Sequence, residues 1–367
     1  LPIPQPGPTD VLVKLSVTGL CGTDFALASG ALGQTRPILG HEGIGRVSKL
    51  GSALNESQVK LGQRVGISWV RGVCGDCAFC LHEGGEGEAH CAAQIHSGRK
   101  VDGTLAGFTV VPFDYISMLP EGLEDAVLAP VMCGGVTAYK ALKLANVVPG
   151  AWVVLLGAGG GVGSLGIQYA RAMGYRVIAV DAGSEKEEAC LELGASVYVD
   201  INREGLDIAR AVKGLTDGKG ASAVIVIAGS ARAYQDAFHL VAPFGTLVCV
   251  GITPLSEPIQ VHPLTLIDNG IRVIGSMTGT RQDIVEAVEF VRRGEVVPEV
   301  QIIPLKIMEG IGELRAQNKV SHGLPLLTIA ILSDNVFRLQ GSWWLMSLQA
   351  RNKRFEITWL RVPHNNI

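Results

Sequence analysis

From Trp152 onward the sequence alternates between short β-rich runs and helix-like segments, and this alternation restricts the fold more than any other feature of the chain. The runs are WVVLLG, RVIAVD, SVYVD, SAVIVIAG, TLVCVG and IRVIGS, and segments such as GSLGIQYARAMG and EKEEACLELG lie between several of them. Strands alternating with helices imply a parallel sheet covered on both faces. Right-handed crossovers then make a doubly wound sheet the expected arrangement.

The first run passes into Gly157, Ala158, Gly159, Gly160, Gly161, Val162 and Gly163, and a helical segment follows. The glycines fit G-x-x-G-x-x-G, from Gly157 through Gly160 to Gly163, and not the strict G-x-G-x-x-G spacing. A glycine cluster alone also fits a plain tight turn. A strand, a glycine turn, a helix, a second strand and then an acid is a more specific order, because backbone must approach a pyrophosphate while free helix N–H groups point at it. The second strand ends at Asp181, 18 residues after Gly163. A carboxylate there accepts both hydroxyls of an adenosine ribose and repels a 2′-phosphate, so NAD is the expected cofactor. Lys186 stands five residues past Asp181 and fits either a ribose contact or a solvated helix lysine.

The 367 residues suggest about two domains and suffice for a large core. A net charge of −3 gives no reason to expect nucleic acid or an anionic membrane as partner. No apolar run reaches the roughly 18 residues that span a bilayer, and the sequence shows no charged-then-apolar export segment. A reducing, cytoplasmic location is therefore expected, in which closely spaced cysteines read as metal ligands before disulfides.

Four of the eight cysteines fall in VCGDCAFCLHEGGEGEAHC, with the spacing C-x2-C-x2-C-x10-C at Cys74, Cys77, Cys80 and Cys91. Four thiolates this close in sequence close a tetrahedron around Zn²⁺ with no open position, which staples a loop and does no chemistry. His82 or His90 could replace Cys91 as the fourth ligand, and buried or disulfide-linked cysteines are the plainer alternative. A second set is scattered: Cys21 in GLCGTDF, His41 and Glu42 in GHEG, and Cys133 in APVMCGG. Spacing alone does not bring these together.

The segments GLCGTDF, ILGHEGIGRV, the cysteine loop, LAPVMCGGVTAYKAL, GAGGGVGSLGIQYARAMGYRVIAVD and GTLVCVG resemble the zinc-dependent alcohol dehydrogenases of the medium-chain dehydrogenase/reductase superfamily, most closely the fungal NAD-linked type. The resemblance runs from about Leu1 to about Asn318. It implies an α/β protein with a GroES-like β-barrel catalytic domain (1–131 and 276–332), a Rossmann doubly wound parallel-sheet domain (132–275), and an atypical tail (333–367). It implies two zinc ions per chain, a catalytic one held by Cys21, His41 and Cys133, and a structural one held by Cys74, Cys77, Cys80 and Cys91. Hydride would pass between an alcohol carbon and NAD, with zinc acting on the substrate oxygen. Glu42 matches a residue that approaches the metal. Asp24 matches a carboxylate that orients the histidine ligand, with a turn aspartate as the plainer alternative. Thr23 matches the hydroxyl that takes the alcohol proton. Gly157, Gly160, Gly161, Val162, Gly163, Asp181, Lys186 and Thr137 match cofactor contacts. Trp69 matches an aromatic on the substrate-pocket wall, where plain core packing is the alternative. The partners implied are a small alcohol, aldehyde or ketone and a second copy of the chain, in a dimer or tetramer paired along the IRVIGS strand.

The sequence departs from that pattern in four places. Gly22 and Ala26 stand where many relatives carry histidines, so the proton relay that starts at Thr23 must exit by another route. The Cys80-to-Cys91 loop is about three residues longer than usual, at small entropic cost. The family pattern begins at IPQPGPTDVLVK without the usual preceding strand, which would leave a barrel edge uncovered. SHGLPLLTIAIL lacks the basic residue that relatives place near the cofactor phosphates, and the tail after it matches no family segment. Two other readings are a zinc-free quinone-reductase-like enzyme, against which the scattered set argues, and a non-catalytic cofactor-binding protein with a zinc staple.

Overall fold

The computed structural model describes residues 2–82, 86–304, 326–330, 336–339, 342–351 and 354–361. Two sheets dominate them. Six parallel strands form the nucleotide-type sheet in the order Val197–Asp200, Arg176–Asp181, Trp152–Leu156, Ala221–Val226, Val241–Cys249 and Arg272–Gly275. All six runs read from the sequence are there. The order reverses between Trp152–Leu156 and Ala221–Val226, and ligands of open α/β sheets bind at such a switch point, outside the carboxyl ends of the strands. The glycine turn leaves Leu156 at that place and enters the helix Gly161–Ala172.

The second sheet has seven strands and is largely antiparallel. Its path is Val300–Pro304, Leu326–Ala330, Asp10–Leu20, Gly43–Leu50, Arg64–Ile67 and Ser117–Met118, with Phe108–Pro112 also pairing with Asp10–Leu20. Asp10–Leu20 carries a buried pattern on most of its length, with Val11, Val13 and Leu15 in one apolar cluster and Val17 in another, and it is paired on both edges. Residues 10–14 pair with 108–112, residues 17–20 pair with 327–330, and Gly43–Leu50 lies along the other side. The strand that begins the family pattern is thus partnered on both sides over most of its length, and among the described residues the outer strands of this sheet are Val300–Pro304, Ser117–Met118 and Phe108–Pro112. The molecule is an α/β protein made of a GroES-like sheet and a Rossmann sheet.

A small ribbon, Val70–Gly72 with Ile95–His96, closes the base of the cysteine loop. The strands Val336–Leu339, Ser342–Arg351 and Arg354–Arg361 form a separate antiparallel sheet that shares no strand with the others. No single helix among the described residues is long and apolar enough to cross a membrane.

One apolar core joins the two large sheets. It runs from Val17 and Ile44 through Met132 and Val136 to Leu165 and Val153, all buried. The helix Gly134–Ala145 bridges this seam and packs on Gly161–Ala172 and on Arg281–Arg292. Its hold on Arg281–Arg292 is polar as well as apolar. Asp283, 1 % exposed, accepts from the Thr280 backbone N–H and hydroxyl, both at 2.9 Å, and from Lys143 Nζ at 3.0 Å, with Lys140 Nζ at 3.4 Å. Glu286 accepts from Tyr139 Oη at 2.6 Å and Lys143 Nζ at 2.7 Å.

Candidate active site

Three loops deliver the scattered set. Cys21 caps the helix Gly22–Ala28, and its backbone N–H donates to Asp24 Oδ2 at 3.0 Å. Gly40 takes φ +94°, a left-handed conformation suited to glycine. Its N–H donates to Asp24 Oδ1 at 3.1 Å, just before His41. Cys133 lies between the turn Ala129–Met132 and the helix Gly134–Ala145. One ligand atom from each of Cys21, His41, Glu42 and Cys133 falls within 4.8 Å of all the others.

The histidine geometry is what a metal ligand needs. His41 Nδ1 lies 3.1 Å from Asp24 Oδ1, so Asp24 fixes the tautomer and frees Nε2. His41 is 1 % exposed, and its Nε2 is buried without a hydrogen-bond partner. A buried unpaired ring nitrogen is costly unless a ligand satisfies it. The sulfurs of Cys21 and Cys133 are 3.9 Å apart. A tetrahedron with Zn–S bonds of about 2.3 Å has edges of about 3.8 Å, so the pair fits two corners and is far outside disulfide range. Both cysteines are free. The donor set of two thiols and one imidazole fits zinc, and the Glu42 carboxylate stands within reach as a fourth donor.

The cluster is electrostatically divided. The contact with Cys133 holds the Cys21 thiol well below the usual range, and the same contact pushes Cys133 up. Burial alone would lower His41, but the Asp24 charge and hydrogen bond outweigh it and hold the imidazole well above its ordinary value. Burial raises Glu42, and the negative charge of Cys21 adds to it. Glu42 Oε1 stands 3.9 Å from His41 Nε2. Its carboxylate lies across Gly19, where a Cβ would sit 1.8 Å from Oε2. That glycine requirement is invisible in sequence patterns.

Cys74, Cys77, Cys80 and Cys91 gather as their spacing predicts, each ligand atom within 4.8 Å of the others. Sulfur separations of 3.8 Å (Cys74–Cys80), 3.6 Å (Cys74–Cys91) and 3.6 Å (Cys77–Cys80) again match the edges of a zinc tetrahedron. The histidine alternatives stand apart from this group: His82 is exposed, and the His90 ring lies near Phe79 at 6.2 Å. The lobe is fastened to the rest of the protein by Glu88. Arg281 reaches its carboxylate through its backbone N–H at 3.0 Å and its guanidinium at 3.1–3.2 Å, and lies over the Tyr115 ring at 4.7 Å.

Thr23 is half-buried beside the cluster, with Oγ1 3.7 Å from Cys21 Sγ. The half-buried Trp69 meets the His41 ring edge-on, centroids 5.3 Å apart. At the nucleotide turn, Gly157 takes φ +92°, and a Cβ there would lie 2.9 Å from the Ala228 nitrogen. A Cβ on Gly163 would lie 2.2 Å from the Gly157 carbonyl oxygen, so helix and strand meet through that glycine. Gly160 caps the helix that begins at Gly161. Val162 packs near the start of the helix that carries Thr137: a Cβ on Gly134 would sit 3.6 Å from Val162 Cγ2. Asp181 ends its strand beside the turn, accepting from Gly159 N–H at 2.8 Å and from Lys186 Nζ at 2.7 Å. Lys186 is 8 % exposed, so it is not a solvated helix lysine. Cys190 is buried and Cys249 half-buried, both in the nucleotide domain's core.

Known proteins fit this geometry. The family model for the alcohol dehydrogenase GroES-like domain matches residues 7–121, and that for zinc-binding dehydrogenases matches residues 161–293. Alcohol dehydrogenase 1 of the fungus Emericella nidulans is 39 % identical over 325 residues, covering 88 % of this chain and 91 % of its own. The alcohol dehydrogenase of the archaeon Aeropyrum pernix superimposes with a TM-score of 0.77 at 27 % identity, over 90 % of this chain and 95 % of that one. A zinc-binding dehydrogenase structure from Sinorhizobium meliloti, bound to NADP, gives a TM-score of 0.80 at 27 % identity, over 90 % and 94 %. Fold and likeness together define an oxidoreductase of the medium-chain dehydrogenase/reductase class. Within that class the chain belongs to the zinc-dependent alcohol dehydrogenases, which interconvert alcohols and carbonyl compounds with zinc and a nicotinamide cofactor.

Proposed function

We propose that the chain interconverts an alcohol with its aldehyde or ketone using NAD(H), at a zinc held by Cys21, His41 and Cys133. The observation that carries this reading is the unpartnered, buried His41 Nε2, aimed by Asp24 at two free cysteines. When bound, zinc acts as the Lewis acid on substrate oxygen and the nicotinamide as hydride carrier. The residues supply the rest. Asp24 holds His41 in one tautomer and Cys21 in place through the same carboxylate. Thr23 stands beside Cys21 with a hydroxyl suited to accept the alcohol proton. Glu42 remains close to the cluster as a spare carboxylate. Val162 and Thr137 would frame the nicotinamide end, and the turn Gly157–Gly163 at the start of the helix Gly161–Ala172 would receive the pyrophosphate.

Asp181 supports NAD over NADP, because its carboxylate occupies the place where a 2′-phosphate would add negative charge. Lys186 bonds that carboxylate and would contact the same ribose. A second zinc belongs to Cys74, Cys77, Cys80 and Cys91, as a closed site without turnover. Sheet membership supports a division of the chain near 131/132 and 275/276, since the six-stranded sheet uses only strands between 152 and 275. Pairing of two copies along Arg272–Gly275 is supported by exposed apolar side chains: Val273 on that strand, Leu264 and Ile267 on the preceding helix Pro263–Asn269, and Met277 just after the strand.

The test is NADH oxidation against a panel of aldehydes and ketones, with and without a strong zinc chelator, alongside metal analysis. Chelator-sensitive turnover with two zinc ions per chain is expected. Folded, zinc-loaded protein with no turnover would favour the non-catalytic reading.

A further inference from the structure

We propose that Gln94 and His96 are positioning residues that carry the order of the four-cysteine lobe to Trp69, and so set which substrate sizes the site accepts. The proposal rests on the reading that Trp69 lines the substrate pocket.

The link is continuous. Gln94 is 4 % exposed and spends both ends of its amide on neighbours. Its backbone N–H donates to the Cys91 carbonyl at 3.2 Å, and its Nε2 donates to the Glu88 carbonyl at 2.7 Å. Its own carbonyl accepts from Lys100 Nζ at 2.6 Å. With Nε2 turned to Glu88, Oε1 faces His96 Nε2 at 2.9 Å. That oxygen only accepts, so His96 carries its proton on Nε2 and leaves Nδ1 bare. His96 Nδ1 is buried without a hydrogen-bond partner. Burial, with Arg99 and Lys100 nearby, pulls its pKa down to about 4, so the ring is neutral at pH 7.

A neutral imidazole is a flat platform, and Trp69 lies on it. The rings stack at 4.6 Å with 20° between their planes. The same indole meets His41 edge-on at 5.3 Å and 78°. Backbone contacts set the spacing: Ser97 N–H donates to the Trp69 carbonyl at 2.9 Å, and Val70 pairs with His96 across the ribbon. Trp69 is therefore held between the zinc-ligand histidine and a residue tied to the cysteine lobe. The lobe is itself fixed through the Glu88 carboxylate and Arg281. The staple thus determines the angle of one wall near the chemistry, in addition to adding stability.

The experiment measures kcat and KM for straight-chain primary alcohols from ethanol to hexanol in zinc-loaded wild type, Gln94→Met, His96→Leu, His96→Phe and Trp69→Leu. Gln94→Met keeps the side chain's volume but leaves the Glu88 carbonyl and His96 Nε2–H without that partner, so its fold is checked by zinc content and Tm beside wild type. In Gln94→Met and His96→Leu the hexanol-to-ethanol ratio of kcat/KM should change by about tenfold, mainly through KM, as one altered pocket wall does. His96→Phe keeps an aromatic platform but loses the bond to Gln94, so it should shift the ratio in the direction of Gln94→Met; a ratio within about threefold of wild type would show that the platform alone holds Trp69 and would overturn the role of Gln94. Zinc content should not change. Trp69→Leu should shift the ratio, and His96→Leu should add nothing in that background. If Trp69→Leu shifts the ratio while Gln94→Met and His96→Leu do not, the proposal falls and the pocket assignment of Trp69 stands. If Trp69→Leu leaves the ratio unchanged, the pocket assignment itself falls. A reading independent of turnover is the ¹⁹F signal of 5-fluorotryptophan at Trp69, identified by its loss in Trp69→Leu. It should move in Gln94→Met, and an unmoved signal overturns the coupling.

Discussion

Replacing Asp283 with alanine tests whether the helix behind Cys133 is fastened by charge. Asp283 is 1 % exposed and takes four polar contacts, two from Thr280 and one each from Lys143 and Lys140. Lys140 is itself 4 % exposed. Removing one member of a buried pair costs about 3–5 kcal/mol, because the remaining charge keeps its desolvation penalty. The Thr280–Asp283 capping box goes with it, at about 1 kcal/mol. A net loss of about 4–6 kcal/mol corresponds to a fall of roughly 8–24 °C in Tm for a cooperative unit of 150–250 residues. The sign with pH follows from the carboxyl. Burial would raise its pKa, but the Thr280 N–H and Lys143 outweigh burial and hold it below the ordinary value. A carboxyl with a lowered folded pKa contributes stability in full above its unfolded value of about 3.9 and loses it as pH falls through the folded value. The gap between wild type and Asp283→Ala should therefore stay level from neutral pH to about 5 and narrow only below about 4. Thermal unfolding of the zinc-loaded protein across that range measures it. Adding Lys140→Met should recover part of the loss. A Tm change under about 3 °C, or no recovery in the double variant, would refute the charge argument.

Four further outcomes are expected. Gly19→Ala should displace the Glu42 carboxylate, given the 1.8 Å approach of its Cβ, and lower kcat by about 10–100-fold without a matching loss of Tm. Asp181→Ala should move the NADP-to-NAD ratio of kcat/KM toward NADP by on the order of tenfold, since one like charge leaves the phosphate's position. The pH–rate profile should lack a single sharp ionisation near pH 6.5, because Gly22 and Ala26, in the helix that carries Thr23, hold no titratable side chain; such an ionisation would show that another group ends the relay. A chain ending at Leu332 keeps the strand Leu326–Ala330 and should retain full activity, whereas one ending before Leu326 should fail to fold its larger sheet.

The nucleotide half was readable because its signals are local. Each β-rich run became a strand within a few residues, and the glycines fell at the switch point. The clearest shift is at TLVCVG, whose strand begins five residues earlier at Val241. There the chain passes through Phe244 at φ +61°, and a register shift at Ala221 to Ala223 absorbs the irregularity. No propensity rule places a left-handed phenylalanine in a strand. The barrel-type sheet was legible only through resemblance, since its pairings join residues such as Val17 and Ala330. The same limit governed the site. Spacing alone pointed to the four-cysteine lobe, whereas Cys21 and Cys133 stand 112 residues apart and only family likeness suggested their meeting. Gln94 and His96 offered no sequence signal: a single buried glutamine and a single histidine match no pattern.

The pairing of Asp10–Leu20 with Leu326–Ala330 also bears on the order in which the chain acquires structure. During synthesis the first strand emerges long before the partner of its residues 17–20, while all six strands of the nucleotide sheet are contiguous between 152 and 275. Loop closure is cheapest for near neighbours, and domains form as units while a chain grows. The nucleotide sheet can therefore complete before Leu326–Ala330 closes the second sheet. Until then, residues 17–20 present an unpaired strand edge to every other nascent chain nearby.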